Sequence, residues 1–382
     1  IVPWLEIDND GDTALDIYGN EKAVVDGFLA FFYDLESCSL VPWCDRADCN
    51  HRNIYCNAFF EKESYLQRIY YYDGKVYMIS KDEDFYYIES FDKDGSNQKK
   101  ECRLKAIEGY ETGVGIYFYN QYVYYHKSYN DETPGIYRRP VSDMSREELV
   151  IAFNEEEYLW DLEIYIVNDT IYYYVTQKYD DTGEMEFKRV NIDGSDPQLI
   201  YVPENEYIHN MTVTEEGDIY YYFPYKGLMR IKNGEHTAEL LYEEDTIGYR
   251  GITYDGTYLY VENGLASDML LAFEDQKGEE RYTKDEQIYM MVFDKEGNLV
   301  DRLHVEIAPD SENGTSTFAE DYFYTFRGMG GDERVFLATC DLELIVFDKA
   351  KLFSDEQTWV RKYGLNMNGD FDFSVDQVGV YY

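Results

Sequence analysis

Three cysteines and a histidine fall within 13 residues of one another, as Cys44-x4-Cys49-x-His51-x4-Cys56. Thiolate sulfur and imidazole nitrogen are the donors that tetrahedral Zn²⁺ accepts, and four of them close its coordination shell. Such a set makes a structural centre, because no position is left for water or substrate. The spacing is not one of the common finger or knuckle spacings, and a disulfide reading stands beside the metal one. With three cysteines in the cluster, pairing must recruit Cys38 or leave one thiol over. Cys102 and Cys340 are distant in sequence and read as single buried thiols. Metal or disulfide, the cross-link would fasten a loop that has little core of its own.

A second cluster is acidic. Asp8, Asp10, Asp12 and Asp16 stand at relative positions 1, 3, 5 and 9 of one stretch, and carboxylates so spaced can wrap a hard cation such as Ca²⁺. The stretch resembles the calcium loops of integrin-type propeller repeats, D-x-D-x-D-G-x-x-D, except that Thr13 replaces the glycine of the tight turn. The alternative is a solvated acidic tail, in a chain that carries 77 acidic residues.

Catalytic constellations are missing from the sequence. It has no G-x-S-x-G elbow, no H-E-x-x-H and no phosphate-binding P-loop. Gly328-Met329-Gly330-Gly331 falls short of a dinucleotide fingerprint, and His126, His209, His236 and His304 are scattered. A carboxylate pair for glycoside cleavage cannot be picked out by spacing, because the acids offer too many pairs. No residue is assigned a catalytic role.

The elements that must carry these residues are strands. A short polar turn followed by an aromatic strand recurs seven times, with Asp73-Gly74-Lys75-Val76-Tyr77 the cleanest copy. The tyrosines Tyr77, Tyr124, Tyr172, Tyr220, Tyr260, Tyr324 and Tyr381 mark steps of 47, 48, 48, 40, 64 and 57 residues. A strand-built period of this size is the signature of a β-propeller. Asp/Asn-Gly turns such as Asp92-Lys93-Asp94-Gly95 and Ile192-Asp193-Gly194 recur later in the units and supply the left-handed positions of tight hairpins. With 42 Tyr against 21 Phe and 4 Trp, the strands suit sheets that bury a ring and keep a hydroxyl near a partner.

These repeats predict one all-β domain over residues 1–382, a seven-bladed β-propeller. Six complete blades are expected within 66–364, at about 66–104, 112–152, 158–202, 207–242, 250–303 and 318–364. Residues 1–26 read as an N-terminal extension and 42–60 as the Cys/His loop. Residues 27–41 and 371–382 each supply half a blade, and pairing them would close the ring and remove its exposed edges. Residues 263–286, 305–317 and 327–333 are longer than hairpin turns, and insertions of this kind on a rigid scaffold often carry binding.

With 34 basic and 77 acidic residues the net charge is −43. A field of that sign repels phosphate backbones and acidic headgroups, so nucleic acid is excluded as an expected partner. No apolar run approaches the roughly 20 residues of a membrane-spanning helix. The chain opens Ile1-Val2-Pro3-Trp4 without an initiator Met, and any export signal is expected upstream of it.

The run Val41-Pro42-Trp43-Cys44-Asp45-Arg46-Ala47-Asp48-Cys49-Asn50-His51, continued by Cys56-Asn57-Ala58-Phe59 and by the Tyr-Tyr-Asp-Gly repeats, resembles one group of proteins. These are the Tyr-rich, lipoprotein-like secreted β-propellers of Firmicutes, classed with low-density-lipoprotein-receptor-like or TolB-like propellers of unknown function. Trp43 stands where their segment has Leu. The resemblance implies a seven-bladed propeller on the outside of the cell, held through a lipidated Cys that this chain does not contain. It implies no activity.

The expectation is therefore a non-enzymatic, monomeric extracellular module that binds a surface ligand, glycan or protein. Two alternatives belong to other classes. A glycan-active hydrolase or lyase would set carboxylates at the channel mouth, facing each other with strongly shifted pKa values. A purely structural or sensory ectodomain would have a filled channel and one flat exposed patch.

Overall fold

The computed structural model describes residues 2–7, 27–34, 39–44, 46, 48–49, 56–61, 64–107, 115–127, 133–154, 157–158, 164–177, 185–203, 208, 211–223, 226–243, 252–263, 289–305, 334–338, 344–348, 358–365 and 371–381. Every regular element among them is a β-strand. The chain divides by its internal contacts into two compact units, residues 1–162 with 367–371 and residues 163–366 with 372–382.

The first unit holds three four-stranded sheets. One contains β1 (Val2–Ile7), β2 (Gly27–Asp34), β3 (Ser39–Pro42) and β4 (Phe59–Glu61), with both β3 and β4 paired to β2. The next runs in simple order through β5 (Tyr65–Tyr72), β6 (Lys75–Lys81), β7 (Phe85–Asp92) and β8 (Lys99–Ala106). The third is the meander of β9 (Tyr117–Tyr119), β10 (Tyr122–Lys127), β11 (Gly135–Pro140) and β12 (Glu148–Ala152).

β13 (Glu157–Tyr158) follows in the first unit, and the second unit begins with the sheet of β14 (Tyr165–Val167), β15 (Thr170–Gln177), β16 (Met185–Asn191) and β17 (Gln198–Tyr201). A four-stranded meander follows, β18 (Met211–Val213), β19 (Ile219–Phe223), β20 (Gly227–Ile231) and β21 (Ala238–Glu243). The last sheet has eight strands. It runs through β22 (Ile252–Tyr254), β23 (Leu259–Asn263), β24 (Tyr289–Phe293) and β25 (Leu299–Val305). It then continues in reverse through β29 (Phe371–Tyr381), β28 (Thr358–Leu365), β27 (Leu344–Asp348) and β26 (Arg334–Ala338).

Local chemistry sets the hairpins. Between β5 and β6, Asp73 and Gly74 have φ of 49° and 80°; Asn168 and Asp169, between β14 and β15, have 49° and 60°. Two successive left-handed residues make the type I′ turn, whose twist matches that of the strands it joins. Asn120 and Gln121 do the same between β9 and β10 at 45° and 65°. Gln121 is poorly suited to that region, but its amide donates to the Tyr72 hydroxyl at 2.9 Å. The tertiary hydrogen bond offsets what the local residue lacks.

Each turn delivers its tyrosine to the same place. Tyr77, Tyr124, Tyr172, Tyr220 and Tyr260 all lie on the second strand of a hairpin, and all are buried. Tyr324 falls outside the described residues. The neighbours of these tyrosines along the strand are buried too: β19 is enclosed from Ile219 to Tyr222. A strand with one wet face alternates apolar and polar residues, whereas one covered on both faces does not. On β19 the two faces have different partners. Ile219 and Tyr221 pack with Tyr174, Met185 and Phe187 of the preceding sheet, while Tyr220 and Tyr222 pack with Ile252, Leu259 and Phe293 of the following one. In the first unit, Tyr77, Ile79 and Ile88 likewise meet Val123, Tyr125 and Tyr137.

The terminal strands pair in their own way. Gly27 of β2 lies opposite Ile7 on one side and Glu61 on the other, so both edges of β2 are taken. At the other end, Tyr381 and Val380 of β29 lie opposite His304 and Val305 of β25. The sheet expected to be shared by 27–41 and 371–382 is not among the pairings of the described residues. Residues 2–7, assigned by sequence to an extension, form a strand of the first sheet.

A buried polar knot joins β8 to the sheet of β9–β12. Arg139 donates from Nε to the Tyr125 hydroxyl at 2.7 Å, from Nη1 to the Met144 carbonyl at 2.7 Å and from Nη2 to the Arg103 carbonyl at 3.2 Å. It also pairs with Glu147 at 2.5 Å, and Glu147 accepts from Tyr125 and, at 2.7 Å, from Lys127. Burial raises the Glu147 pKa, but these donors and the charge of Arg139 outweigh it and hold the carboxyl below its ordinary range.

Two outcomes are expected. Phe187 is fully buried, 5.5 Å from the Tyr221 ring and 6.1 Å from that of Tyr174. Phe187→Ala should cost about 3–5 kcal/mol in urea unfolding, and Phe187→Leu less than about 1.5 kcal/mol; equal losses would contradict this packing. A carboxyl with a depressed folded pKa stabilises the fold above its unfolded pKa and loses that contribution as pH falls through the folded value. Stability should therefore decline below about pH 4.3, and Glu147→Gln should flatten part of that decline in urea titrations at stepped pH.

Candidate metal centre

The first sheet explains why the cysteines meet. The C-terminal half of β2 pairs with β3, from Phe31 opposite Pro42 to Asp34 opposite Ser39. Its N-terminal half pairs with β4, from Gly27 opposite Glu61 to Leu29 opposite Phe59. Ala30 bridges the two registers, its carbonyl accepting from the Trp43 amide at 2.8 Å and its amide donating to the Ala58 carbonyl at 2.9 Å. Cys44 therefore leaves β3, and Cys56 enters β4, on the same side of β2. The loop between them is closed at its base before any cross-link forms.

Three Sγ atoms, of Cys44, Cys49 and Cys56, lie within 4.8 Å of one another. Sulfurs bound at 2.3 Å around a tetrahedral ion are about 3.8 Å apart, so a small contraction would seat a metal. Among the described residues, none of the three is joined in a disulfide, nor is Cys102. The Cys49 amide donates to the Arg46 carbonyl at 3.3 Å, which turns the loop back towards Cys44. The Cys56 sulfur accepts from the Ala58 amide at 3.4 Å.

The surroundings act on Cys44 and Cys56 in opposite directions. For Cys44, burial raises the pKa, but the amides of Arg46 and Asn57 and the thiols of Cys56 and Cys49 outweigh it and leave the thiol below its ordinary value. Cys56 is pushed up to about 12, chiefly by burial, which the Ala58 amide only partly opposes. Metal binding would have to take Cys56 as a thiolate, and buried thiolate is stable only beside a cation. The residues present can thus hold a metal ion. His51, the fourth expected ligand, lies outside the described residues, as do Asp8, Asp10, Asp12 and Asp16 of the acidic stretch and Cys38 and Cys340.

Aromatic packing holds this loop to the β5–β8 sheet. The Trp43 ring is buried, stacked on Phe60 at 5.8 Å and edge-on to Phe91 at 5.3 Å. Its Nε1 donates to the Lys93 carbonyl at 2.9 Å. Gly95 holds that turn in the left-handed region at φ 84°, which favours glycine, and its Cα side lies against the Trp43 ring, where a Cβ would make an ordinary 3.5 Å contact.

Sequence motifs did not single out a second place, a cavity of about 220 Å³ beside Arg189, Asn233 and His236 in the second unit. The signal that could have found it is a comparison of the repeats, since Arg189 faces Gln198 where related rows have glutamate.

The sequence matches no protein-family model and no curated protein. Solved structures are similar in fold. A prolyl endopeptidase superposes with a TM-score of 0.54 at 11% identity over 94% of this chain and 47% of that one. An oligogalacturonate lyase from Vibrio parahaemolyticus gives 0.47 at 11% identity, covering 92% and 84%. TolB from Acinetobacter baumannii gives 0.34 at 9% identity, covering 77% and 59%. The chain spans about half the length of the endopeptidase it matches. At such identities the likeness concerns fold alone, and the fold is all-β and propeller-like.

Proposed function

We propose that this chain is a non-enzymatic binding module built on seven blades, displayed outside the cell through a lipid anchor, with a structural zinc ion fastening its first sheet. Seven successive groups support the blade count: β1–β4, β5–β8, β9–β12, β13–β17, β18–β21, β22–β25 and β26–β29. The eight-stranded sheet then counts as two blades joined at β25 and β29.

The observation that carries the zinc assignment is the convergence of Cys44, Cys49 and Cys56 at the base of a loop already closed by β2. Zinc suits three thiolates and one imidazole, with His51 as the fourth ligand. Its role there is mechanical. Binding free energy becomes folding free energy for a segment whose sequence, from 45 to 55, carries few apolar residues. The extracellular binding role is supported by a rigid repeat scaffold and by the resemblance of the Cys/His segment to that of secreted propellers.

Elemental analysis of the purified protein should find about one zinc per chain. Removing it with a chelator should lower the melting temperature, and Cys49→Ala should reproduce both the metal loss and the lower melting temperature. No zinc, together with melting indifferent to chelator, would refute the assignment. For the binding role, glycan-array and pull-down screens of the folded protein should return a specific ligand; background in both would count against it.

A further inference from the structure

Three sheets carry the same cross-strand row. A buried tyrosine on one strand faces an arginine on the next, which faces an acid or amide on the one after. The rows are Tyr124–Arg138–Glu148, Tyr172–Arg189–Gln198 and Tyr220–Arg230–Glu239. In the first and last the arginine holds a carboxylate, with Arg138 Nε 2.9 Å from Glu148 and Arg230 Nε 2.7 Å from Glu239.

The Arg189 row differs. Its Nε and Nη2 donate to Gln198 Oε1 at 3.1 and 2.8 Å, and its Nη1 donates to Asn233 Oδ1 at 3.1 Å. These partners are neutral, and among the described residues its charge meets no carboxylate. A guanidinium has five N–H donors, so two remain beyond these three bonds.

The cavity of about 220 Å³ opens beside this arginine, between the β14–β17 and β18–β21 strands. Lys232 and His236 also line it, against one carboxylate, Glu235. Lys232 is shared with Glu239 at 3.2 Å, and His236 Nδ1 donates to the Ile200 carbonyl at 2.8 Å. Tyr172 and Ile219 add an apolar wall. Gly217 lets the Tyr172 hydroxyl and Asn233 close in at the cavity wall, since a Cβ there would lie 2.6 Å from the hydroxyl and 3.0 Å from Asn233 Nδ2.

We propose that this cavity binds a small organic carboxylate, its oxygens on the remaining donors of Arg189 and its body against Tyr172. A planar guanidinium matches a carboxylate through two parallel N–H bonds. Phosphate shares that chemistry, but a dianion is opposed more strongly by a chain of net charge −43, and it has no apolar part for the wall. Ordinary ligand pockets run from about 300 to 1,000 Å³, so this smaller one takes a single ring or the acidic end group of a chain. The site uses none of the thiol cluster and gives the proposed binding role a ligand chemistry.

Calorimetric titration of the whole protein with benzoate, D-glucuronate and inorganic phosphate tests it. At least one carboxylate should bind saturably, and phosphate about tenfold more weakly or worse. Gln198→Glu installs the acid that Arg138 and Arg230 already face, so it should keep the fold while weakening carboxylate binding about tenfold or more. Arg189→Gln should do the same by removing the donors. The proposal is overturned if neither carboxylate saturates, if phosphate binds best, or if both variants bind like the parent protein. A silent titration beside a positive ligand screen would retire this cavity and leave the binding role standing.

Discussion

A strand such as Ile219–Phe223 is apolar or aromatic on both faces, and it is stable only with another sheet on either side. Tyrosine makes the arrangement workable. Its ring supplies the large buried area of an aromatic residue, and its hydroxyl reaches the rim of the sheet where backbone groups need partners. Tyr220 illustrates both, packing against Leu259 and Phe293 while its hydroxyl donates to the Lys295 carbonyl at 2.6 Å. Other features of the molecule follow from this demand for two-sided burial.

Polar contacts then set where neighbouring sheets meet. Trp43 donates to the Lys93 carbonyl, Arg189 to Asn233 and Arg230 to the Lys295 carbonyl. In each case a side chain of one sheet reaches the hairpin between the last two strands of the next. Those hairpins share a glycine near φ 80°, at Gly95, Gly234 and Gly297. The glycine lets the turn close tightly, and an acceptor just before it (the Lys93 or Lys295 carbonyl, or Asn233 Oδ1) becomes the docking point. Dispersion and burial favour stacking in general; these bonds fix its register.

The thiol cluster belongs to a sheet that departs from the simple meander. In the β1–β4 sheet two short strands share the flank of β2, which leaves fewer ladder bonds per strand than in the meanders. A cross-link at the junction of β3 and β4 reinforces the place where that ladder changes partner. The buried Trp43, immediately before Cys44, couples the same junction to the β5–β8 sheet.

Much of this is local and was legible in the residues. Asp73-Gly74 and Asn168-Asp169 announce type I′ turns because the preference for positive φ resides in those residues themselves. Runs such as Tyr172-Tyr173-Tyr174 announce strands, but tyrosine suits a half-buried strand equally well, and burial on both faces came from the neighbouring sheets. The spacing of Cys44, Cys49 and Cys56 offers a ligand set, but spacing carries no distances. Their approach to within 4.8 Å depends on β3 and β4 sharing β2. The pairing of Val2–Ile7 with β2, and of Phe371–Tyr381 with β25, also came only from the tertiary structure. Backbone preferences act over a few residues, whereas a strand's partner is chosen by which edge the rest of the chain leaves free.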